Sequence, residues 1–166
     1  MPSTSPAAPP VRPAAAADVP EIARVWRSAW LDGHRGAVPE SLMRVRGPEH
    51  FARTAADRVA DTLVACDDDG RIVGVAIVAG DELSQLAVAA EARGTGVAAT
   101  LLEAVEARIA RRYPVAWLAV VPENRRARAF YERHGWRDAG DLTYDAPSAD
   151  GPVAVPVRRY VKSLVE

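Results

Sequence analysis

The sequence has few of the residues that several common functions require. Cys66 is its only cysteine, which excludes an internal disulfide, and the neighbouring residues offer no metal partner or activating base, so we expect a buried thiol. Lys162 is its only lysine, so the phosphate loop G-x-x-x-x-G-K-S/T cannot form. No stretch approaches the ~20 apolar residues of a membrane span, and the opening MPSTSPAAPP lacks the features of a signal peptide. We therefore expect a protein of a reducing, cytoplasmic setting with no membrane partner.

An excess of either charge is also missing. The formal net charge is −1, which gives no general attraction to nucleic acid. A chain of 166 residues, 49% hydrophobic, is large enough for one domain with a substantial core. The segment 1–10 is rich in proline, serine and alanine and is predicted to be a flexible tail, with a single folded domain over 11–166.

The first third of this domain is predicted to be mainly helical. Val11-Arg12-Pro13 is a candidate edge strand. Asp18 and Glu21 have the spacing of a capping box, and apolar residues with helical periodicity follow to about Leu31. Glycines, prolines and scattered apolar residues predict short helices joined by turns over 33–61.

The remainder is predicted to alternate between strands and helices. The predicted elements are strands over 63–66, 71–80 and 82–88, a helix over 97–113, a strand covered on both faces over 115–121, a helix capped by Asn124 and closed by Gly135, and strands over 136–144 and 153–161. Pro156 fits the last strand only at an edge or a bulge. This order predicts an α+β fold, a mixed α/β layer with one parallel crossover.

The loop EARGTGVAATLL, residues 91–102, predicts a phosphate site. Two glycines beside Arg93 expose main-chain N–H groups ahead of a helix, where the helix dipole favours an anion. Residues 94–99 also match the dinucleotide pattern G-x-G-x-x-A, although five residues separate them from the preceding strand and the neighbouring strands are predicted to be antiparallel. A dinucleotide-binding oxidoreductase and a plain surface turn with a solvated arginine are therefore alternatives.

Two segments together resemble the GNAT superfamily of acetyl-CoA-dependent N-acetyltransferases. LSQLAVAAEARGTGVAATLL is similar to the family's strand, R-x-x-G-x-A pyrophosphate loop and helix, and ENRRARAFYERHGW is similar to its block N-x-x-A-x-x-F/Y-Y-x-x-x-G-F/W. The resemblance implies a GNAT-like fold with a central, mostly antiparallel twisted sheet of six to seven strands flanked by helices. It implies acetyl transfer from acetyl-CoA to a primary amine by direct attack in a ternary complex, without a metal. A non-catalytic acyl-CoA-binding module is the alternative.

The resemblance also implies roles for individual residues. The Leu86 N–H would polarise the thioester carbonyl, and Val88 would bond the pantetheine arm. Glu82 is the candidate general base, on the same face of its strand as Leu86, and Tyr131 is the candidate general acid. Glu82 could instead be a solvated strand-end charge, and Tyr131 a core aromatic. The full set expected to bind acetyl-CoA is Leu86, Ala87, Val88, Arg93, Gly94, Thr95, Gly96, Val97, Ala98, Asn124 and Ala127.

The acceptor side is less defined. Trp26, Trp30 and His34 share one face of the first helix, which is a pattern of core residues, but the family's first helices wall the acceptor pocket. If they line it, the acceptor has an apolar or aromatic part, and His34 is a reserve base. The acceptor is expected to be a small-molecule or peptide amine, and the resemblance allows a homodimer. Arg125, Arg126 and Arg128 are predicted to be a solvated face, with one of them a candidate contact for the 3′-phosphate of CoA.

Overall fold

The computed structural model describes residues 8–34, 36–148 and 150–165 and arranges them around a seven-stranded sheet. The strands are β1 Val11–Pro13, β2 Thr62–Cys66, β3 Ile72–Ala79, β4 Glu82–Val88, β5 Val115–Val120, β6 Arg137–Ala146 and β7 Val153–Ser163. The helices are α1 Val19–His34, α2 Glu40–Val45, α3 Pro48–Asp57, α4 Val97–Ala110 and α5 Arg125–Arg133. Within these described residues, no helix has the length and apolar character needed to cross a membrane.

The strands lie in the order β1-β2-β3-β4-β5-β7-β6, and every neighbouring pair is antiparallel except β4 and β5. The predicted α+β fold with one parallel crossover, made through α4, is therefore confirmed. This sheet is not the parallel sheet that a dinucleotide-binding fold requires. Pro156 pairs only with Thr143 of β6, beyond the point where pairing with β5 ends, so it lies in an edge section of β7 as its missing N–H requires.

The core is formed around β2 and β3, which are buried on both faces over almost their whole length. Helix α4 packs directly on β3 at Gly74, where an added Cβ would lie 2.7 Å from the side chains of Val97 and Leu101. A larger residue at position 74 would push α4 away from the sheet. The close packing fixes the N-terminus of α4, and with it the glycine loop, beside the end of β4.

The prediction of a capping box at the start of α1 was wrong. Asp18 and Glu21 do not form a capping box, because their carboxylates have other partners. Asp18 Oδ2 accepts from the Ala15 N–H and pairs with Arg12 at 2.7 Å, whereas Glu21 Oε2 accepts from the Ile72 N–H at 2.8 Å. The carboxylates tie α1 and the turn before it to β1 and β3, and α1 continues past Leu31 to His34.

Strand β5 is not covered on both faces. Its burial alternates, with Ala116, Leu118 and Val120 buried while Val115 is 43% exposed. On the same face as Val115, Trp117 and Ala119 are half-buried, and the Arg159 guanidinium lies 5.3 Å from the centre of the Trp117 ring.

The N-terminal tail is only partly described. Residues 1–7 of the predicted tail lie outside the described residues. The chain is already bonded to the sheet at Pro10, whose carbonyl oxygen accepts from the Cys66 N–H at 3.1 Å. The boundary of the domain stays a prediction.

Candidate active site

Strands β4 and β5 separate after a single residue pair. Glu82 is in register with Trp117, and no later pair of the two strands is in register within the described residues. A β-bulge accompanies the separation, because Ile77 pairs with Gln85 and Val78 with Leu83, which leaves Ser84 as the extra residue. Bulges bend the strand that carries them. The bulge also interrupts the strict alternation that we expected from Glu82 to Val88.

The exposed edge of β4 presents main-chain groups to this gap. The Ala89 N–H donates to the Val73 carbonyl at 2.8 Å, so the alternating antiparallel pattern makes Leu86 and Val88 non-hydrogen-bonded positions toward β3. Their N–H and C=O groups therefore point away from β3, into the gap. Ala87 is different: its main chain pairs with β3 and its side chain is buried, so it does not line a cavity.

A cleft of about 370 Å³, here called the loop cleft, lies between the glycine loop, α1 and α5. Gly94 and Gly96 line it with φ angles of +76° and +88°, and an added Cβ would meet no atom at either position. Glycine is needed there for its backbone conformation and not for space. Thr95 does not line the cleft, and its hydroxyl donates to the Ala92 carbonyl. Its other lining residues are Ala29, Gly33, Leu86, Val88, Ala92, Arg93, Val97, Ala98, Ala99, Asn124, Arg126, Ala127, Phe130, Tyr131, Arg133 and His134.

A second, smaller cavity of about 140 Å³, here called the inner cavity, lies on the other side of the gap. The polar side chains around it include Glu82, Tyr144, His34 and Arg46, which come from four separate parts of the chain. The two cavities share four lining residues: Leu86, Asn124, Ala127 and Tyr131. A molecule in the loop cleft and a molecule in the inner cavity would therefore meet beside the Leu86 main chain.

The family was identified by comparison with known proteins. Residues 41–150, which make up more than half of the chain, match the family model described as the acetyltransferase (GNAT) domain. The chain belongs to the GNAT acetyltransferase family.

Similar proteins agree with this assignment. An uncharacterised N-acetyltransferase of Mycobacterium tuberculosis is 40% identical over 82 residues, which are 46% of this chain and 53% of that protein. The chain thus spans about half the length of the curated relatives it matches. Among solved structures, a GCN5-related N-acetyltransferase from Kribbella flavida superposes with a TM-score of 0.71 at 25% identity, covering 96% of this chain and 99% of that one. The PaiA N-acetyltransferase of Thermoplasma acidophilum, solved in complex with coenzyme A, shares the fold with a TM-score of 0.72 at 18% identity, covering 95% and 99%.

Glu82 lies where the gap between β4 and β5 begins, in the residue pair that still joins the two strands. Its Oε1 accepts a hydrogen bond from the Tyr144 hydroxyl at 3.0 Å. Burial raises the pKa of the Glu82 carboxyl above its ordinary value, although the Tyr144 bond opposes this shift. Burial and the neighbouring carboxylate raise the pKa of Tyr144 to about 12. Glu82 is thus a half-buried carboxylate of increased basicity and not a solvated strand-end charge.

Tyr131 lies where the two cavities of this GNAT domain join. It is 8% exposed, and its ring packs against Phe130 and Trp136. Burial raises the pKa of its hydroxyl well above the ordinary value, so the phenol keeps its proton at neutral pH. Tyr131 therefore packs as a core aromatic and also lines both cavities, so its packing does not exclude the predicted role as general acid.

The three residues of the first-helix stripe separate into two groups. Trp26 is in the core, in edge-to-face contact with Phe51, and its Nε1–H donates to Gln85 at 3.1 Å; it lines neither cavity. Trp30 and His34 line the inner cavity, and their rings stack at 4.8 Å.

His34 has the form of a neutral base. Its Nδ1 lies 2.9 Å from the Trp30 carbonyl oxygen, which can only accept, so Nδ1 carries the proton and Nε2 is left with a lone pair. Burial lowers the pKa of His34, the hydrogen bond to Trp30 opposes this shift, and the positive charge of Arg46 adds to it. The surroundings therefore favour the uncharged imidazole.

Helix α5 supplies a cap and one arginine. Asn124 Oδ1 accepts from the Ala127 N–H at 3.2 Å, so the predicted helix cap is confirmed, and the residue also lines both cavities. Of the three arginines considered, Arg126 lines the loop cleft. Arg128 is held elsewhere, by the Tyr160 hydroxyl at 3.1 Å and the Pro122 carbonyl at 3.0 Å.

Arg93 has a partner that the sequence analysis missed. Its guanidinium forms an ion pair with Asp32 of α1 at 2.8 Å, with both side chains substantially exposed. Tyr144 and Arg46 were also missed. Tyr144 falls inside a strand pattern and Arg46 just after a short helix, and no local motif distinguishes either residue. Within the described residues, no cluster of three His, Cys, Asp or Glu side chains could hold a metal ion.

Proposed function

We propose that this protein transfers the acetyl group of acetyl-CoA to a primary amine, by direct attack while both substrates are bound. The observation that carries the proposal is the junction of the loop cleft and the inner cavity at Leu86 and Tyr131. Acetyl-CoA would occupy the loop cleft and the amine the inner cavity, so the thioester and the nucleophile would meet in the gap between β4 and β5. Membership of the GNAT family and the coenzyme A complex of the Thermoplasma relative support this assignment.

The residues of the loop cleft fit the chemistry of coenzyme A. The main-chain N–H groups around Gly94 and Gly96 precede the N-terminus of α4, which favours a diphosphate. The free edge of β4 at Val88 can bond an extended pantetheine arm as an added strand would be bonded. Arg126, on the cleft wall, is the candidate contact for the 3′-phosphate.

The reacting groups divide the work of acetyl transfer. Glu82 would accept a proton from the amine, directly or through water, because an alkylamine with a pKa of about 10 is mostly protonated at neutral pH. The neutral nitrogen attacks the thioester carbon while the Leu86 N–H stabilises the developing oxyanion. The C–S bond then breaks, Tyr131 donates a proton to the departing thiolate, and the proton lost by the acylated nitrogen would restore the Tyr131 hydroxyl through water. Cys66 is buried on β2 and lines neither cavity, which favours direct attack over an acetylated cysteine.

The test is an acetyl-CoA turnover assay against a mixed library of amines, with calorimetric titration of acetyl-CoA on the same sample. We expect saturable acetyl-CoA binding and amine-dependent release of free CoA thiol. Tight binding without turnover on any amine would favour a non-catalytic acyl-CoA-binding module. Absence of binding would overturn the proposal. A homodimer and a cytoplasmic setting stay predictions from the sequence.

A further inference from the structure

The inner cavity contains a buried arginine that the acetyl-transfer chemistry does not use. Arg46 directly follows α2, is 6% exposed and lines the cavity. Its Nη2 donates to the Pro147 carbonyl at 2.9 Å. Its Nε is sealed from solvent and has no hydrogen-bond partner among the described residues. Among the described residues, one hydrogen bond engages the terminal amino groups of this guanidinium, so they have N–H donors left for a molecule in the cavity.

The charge of Arg46 is poorly compensated by the protein. None of the ion pairs found in the described part of the chain includes it. The face of Trp30 lies 5.2 Å from its guanidinium carbon, but a cation–π contact does not neutralise the charge. Burial lowers the pKa of Arg46, yet an arginine side chain stays protonated in proteins. A buried charge without a counter-ion is costly, which indicates that an anion completes the site.

The other residues of the inner cavity limit the size and polarity of the molecule that carries this anionic group. Tyr144 joins the two charged groups of the cavity: its hydroxyl bonds Glu82, and Arg46 acts electrostatically on the same hydroxyl. The remaining wall is largely apolar, with Val38, Leu42, Leu118, Val155 and Val157. At about 140 Å³ the cavity is small beside pockets for drug-sized ligands, which begin near ~300 Å³.

We propose that Arg46 binds the carboxylate of the acceptor, and that the acceptor is a free α-amino acid with a small apolar side chain. Its amine would face Glu82 and the thioester, and its side chain would contact the apolar wall. A planar guanidinium matches a carboxylate with paired hydrogen bonds. A polyamine would instead be repelled by Arg46, and a protein N-terminus brings no carboxylate next to its amine. This inference rests on the proposed acetyl transfer and narrows its acceptor.

The first experiment compares matched acceptors. It measures kcat/KM for L-alanine, L-valine and L-leucine and for the amide of each, with wild type, Arg46→Met and Arg44→Met. Arg44 is exposed and lies in α2, two residues before Arg46, so its variant is the control. We expect Arg46→Met to lower kcat/KM for the amino acids about 100-fold while changing the amides much less, because only the amino acids lose a charge partner. The quantity compared between proteins is the kcat/KM of each amino acid divided by that of its amide. The lower amine pKa of the amides affects wild type and variants equally, so it cancels in this comparison.

Equal losses for amino acids and amides would show that Arg46 only supports the fold, and a wild-type preference for amides would overturn the proposal. Circular dichroism and acetyl-CoA affinity report whether Arg46→Met folds; if it does not, Arg46→Lys takes its place, with a smaller expected loss.

A second measurement does not depend on acetyl transfer. Calorimetry with N-acetyl-L-valine and its amide is expected to show that wild type binds the carboxylate form at least 10-fold more tightly, and that Arg46→Met loses this difference. If acetyl-CoA does not bind but the carboxylate preference remains, the proposed acetyl transfer is wrong and the Arg46 site stands. Equal binding of the two forms by wild type would contradict the Arg46 site, whatever happens with acetyl-CoA.

Discussion

The loop cleft and the inner cavity meet at the same four residues but are built in different ways. The loop cleft presents main-chain groups from short, continuous stretches, the edge of β4 and the loop before α4, with glycines that set the backbone conformation. The inner cavity presents side chains from α1, the end of α2, β4 and β6. A cleft made of backbone tolerates changes of side chain and is sensitive to φ and ψ. A cavity made of side chains depends on the chemistry of each one.

The comparison is tested most strongly at Glu82 in the inner cavity. Glu82→Gln keeps the size of the side chain and an oxygen that can accept from Tyr144, but it removes the base. We expect kcat to fall about 100- to 10,000-fold, with the acetyl-CoA dissociation constant unchanged. Glu103→Gln, an exposed carboxylate on α4, is the control for loss of a charge. A kcat within about threefold of wild type would remove Glu82 from the base role.

The pH profile of kcat sharpens the same test. Glu82 acts only when it is ionised, so activity is present above its pKa and is lost as the pH falls through that value. Because burial raises this pKa above 4.5, we expect the acid limb of the wild-type profile to lie above pH 4.5. The Glu82→Gln profile should lack that limb. An identical acid limb in both proteins would assign it to another group.

Tyr131 tests the junction of the two cavities. Tyr131→Phe keeps the ring in its packing and removes only the proton donor, so we expect kcat to fall about 100-fold while acetyl-CoA binding is retained. Tyr113→Phe, whose ring is 38% exposed, is the matched control. Pre-steady-state release of CoA thiol measures the affected step directly. Unchanged release would exclude Tyr131 as the acid.

Gly96 tests the backbone side of the comparison. A residue with a Cβ in the left-handed conformation costs about 1–2 kcal/mol, so Gly96→Ala should weaken acetyl-CoA binding about 10-fold by calorimetry. Gly70 has φ +81° and open space around it, but it lies in the turn between β2 and β3, away from both cavities. Gly70→Ala should cost similar stability in urea denaturation and leave acetyl-CoA affinity unchanged. Equal effects of both variants on affinity would contradict the special role of the loop backbone.

Asp32 gives the smallest expected effect. Its ion pair with Arg93 is largely exposed and contributes at most about 1 kcal/mol, and it competes with any phosphate for the guanidinium. Asp32→Asn should therefore tighten acetyl-CoA binding a few-fold at low salt. The effect should disappear in the Arg93→Gln background. Weaker binding in Asp32→Asn would mean that the pair orders the loop for the ligand instead of competing with it.

The two regions also differ in how far the sequence predicts them. The glycine loop, the Asn124 cap and the order of helices and strands along the chain follow from local spacing, because turns, caps and periodicity depend on neighbours in the chain. The bulge at Ser84 and the alternating burial of β5 depend on how strands pair, and no local pattern encodes that. Arg46 and Tyr144 reach Trp30 and Glu82 only through the fold, because the partners are separated by 16 and 62 positions in the sequence.

The central claim is that the free edge of β4 and the glycine loop hold acetyl-CoA, so that its thioester lies beside Leu86. An NMR titration of backbone amides with acetyl-CoA tests this most directly. We predict saturable shifts concentrated at the N–H groups of Leu86, Val88, Gly94 and Gly96, with little change in the turn around Gly70. Saturable binding that leaves these four amides unmoved, or no binding at all, would contradict the account.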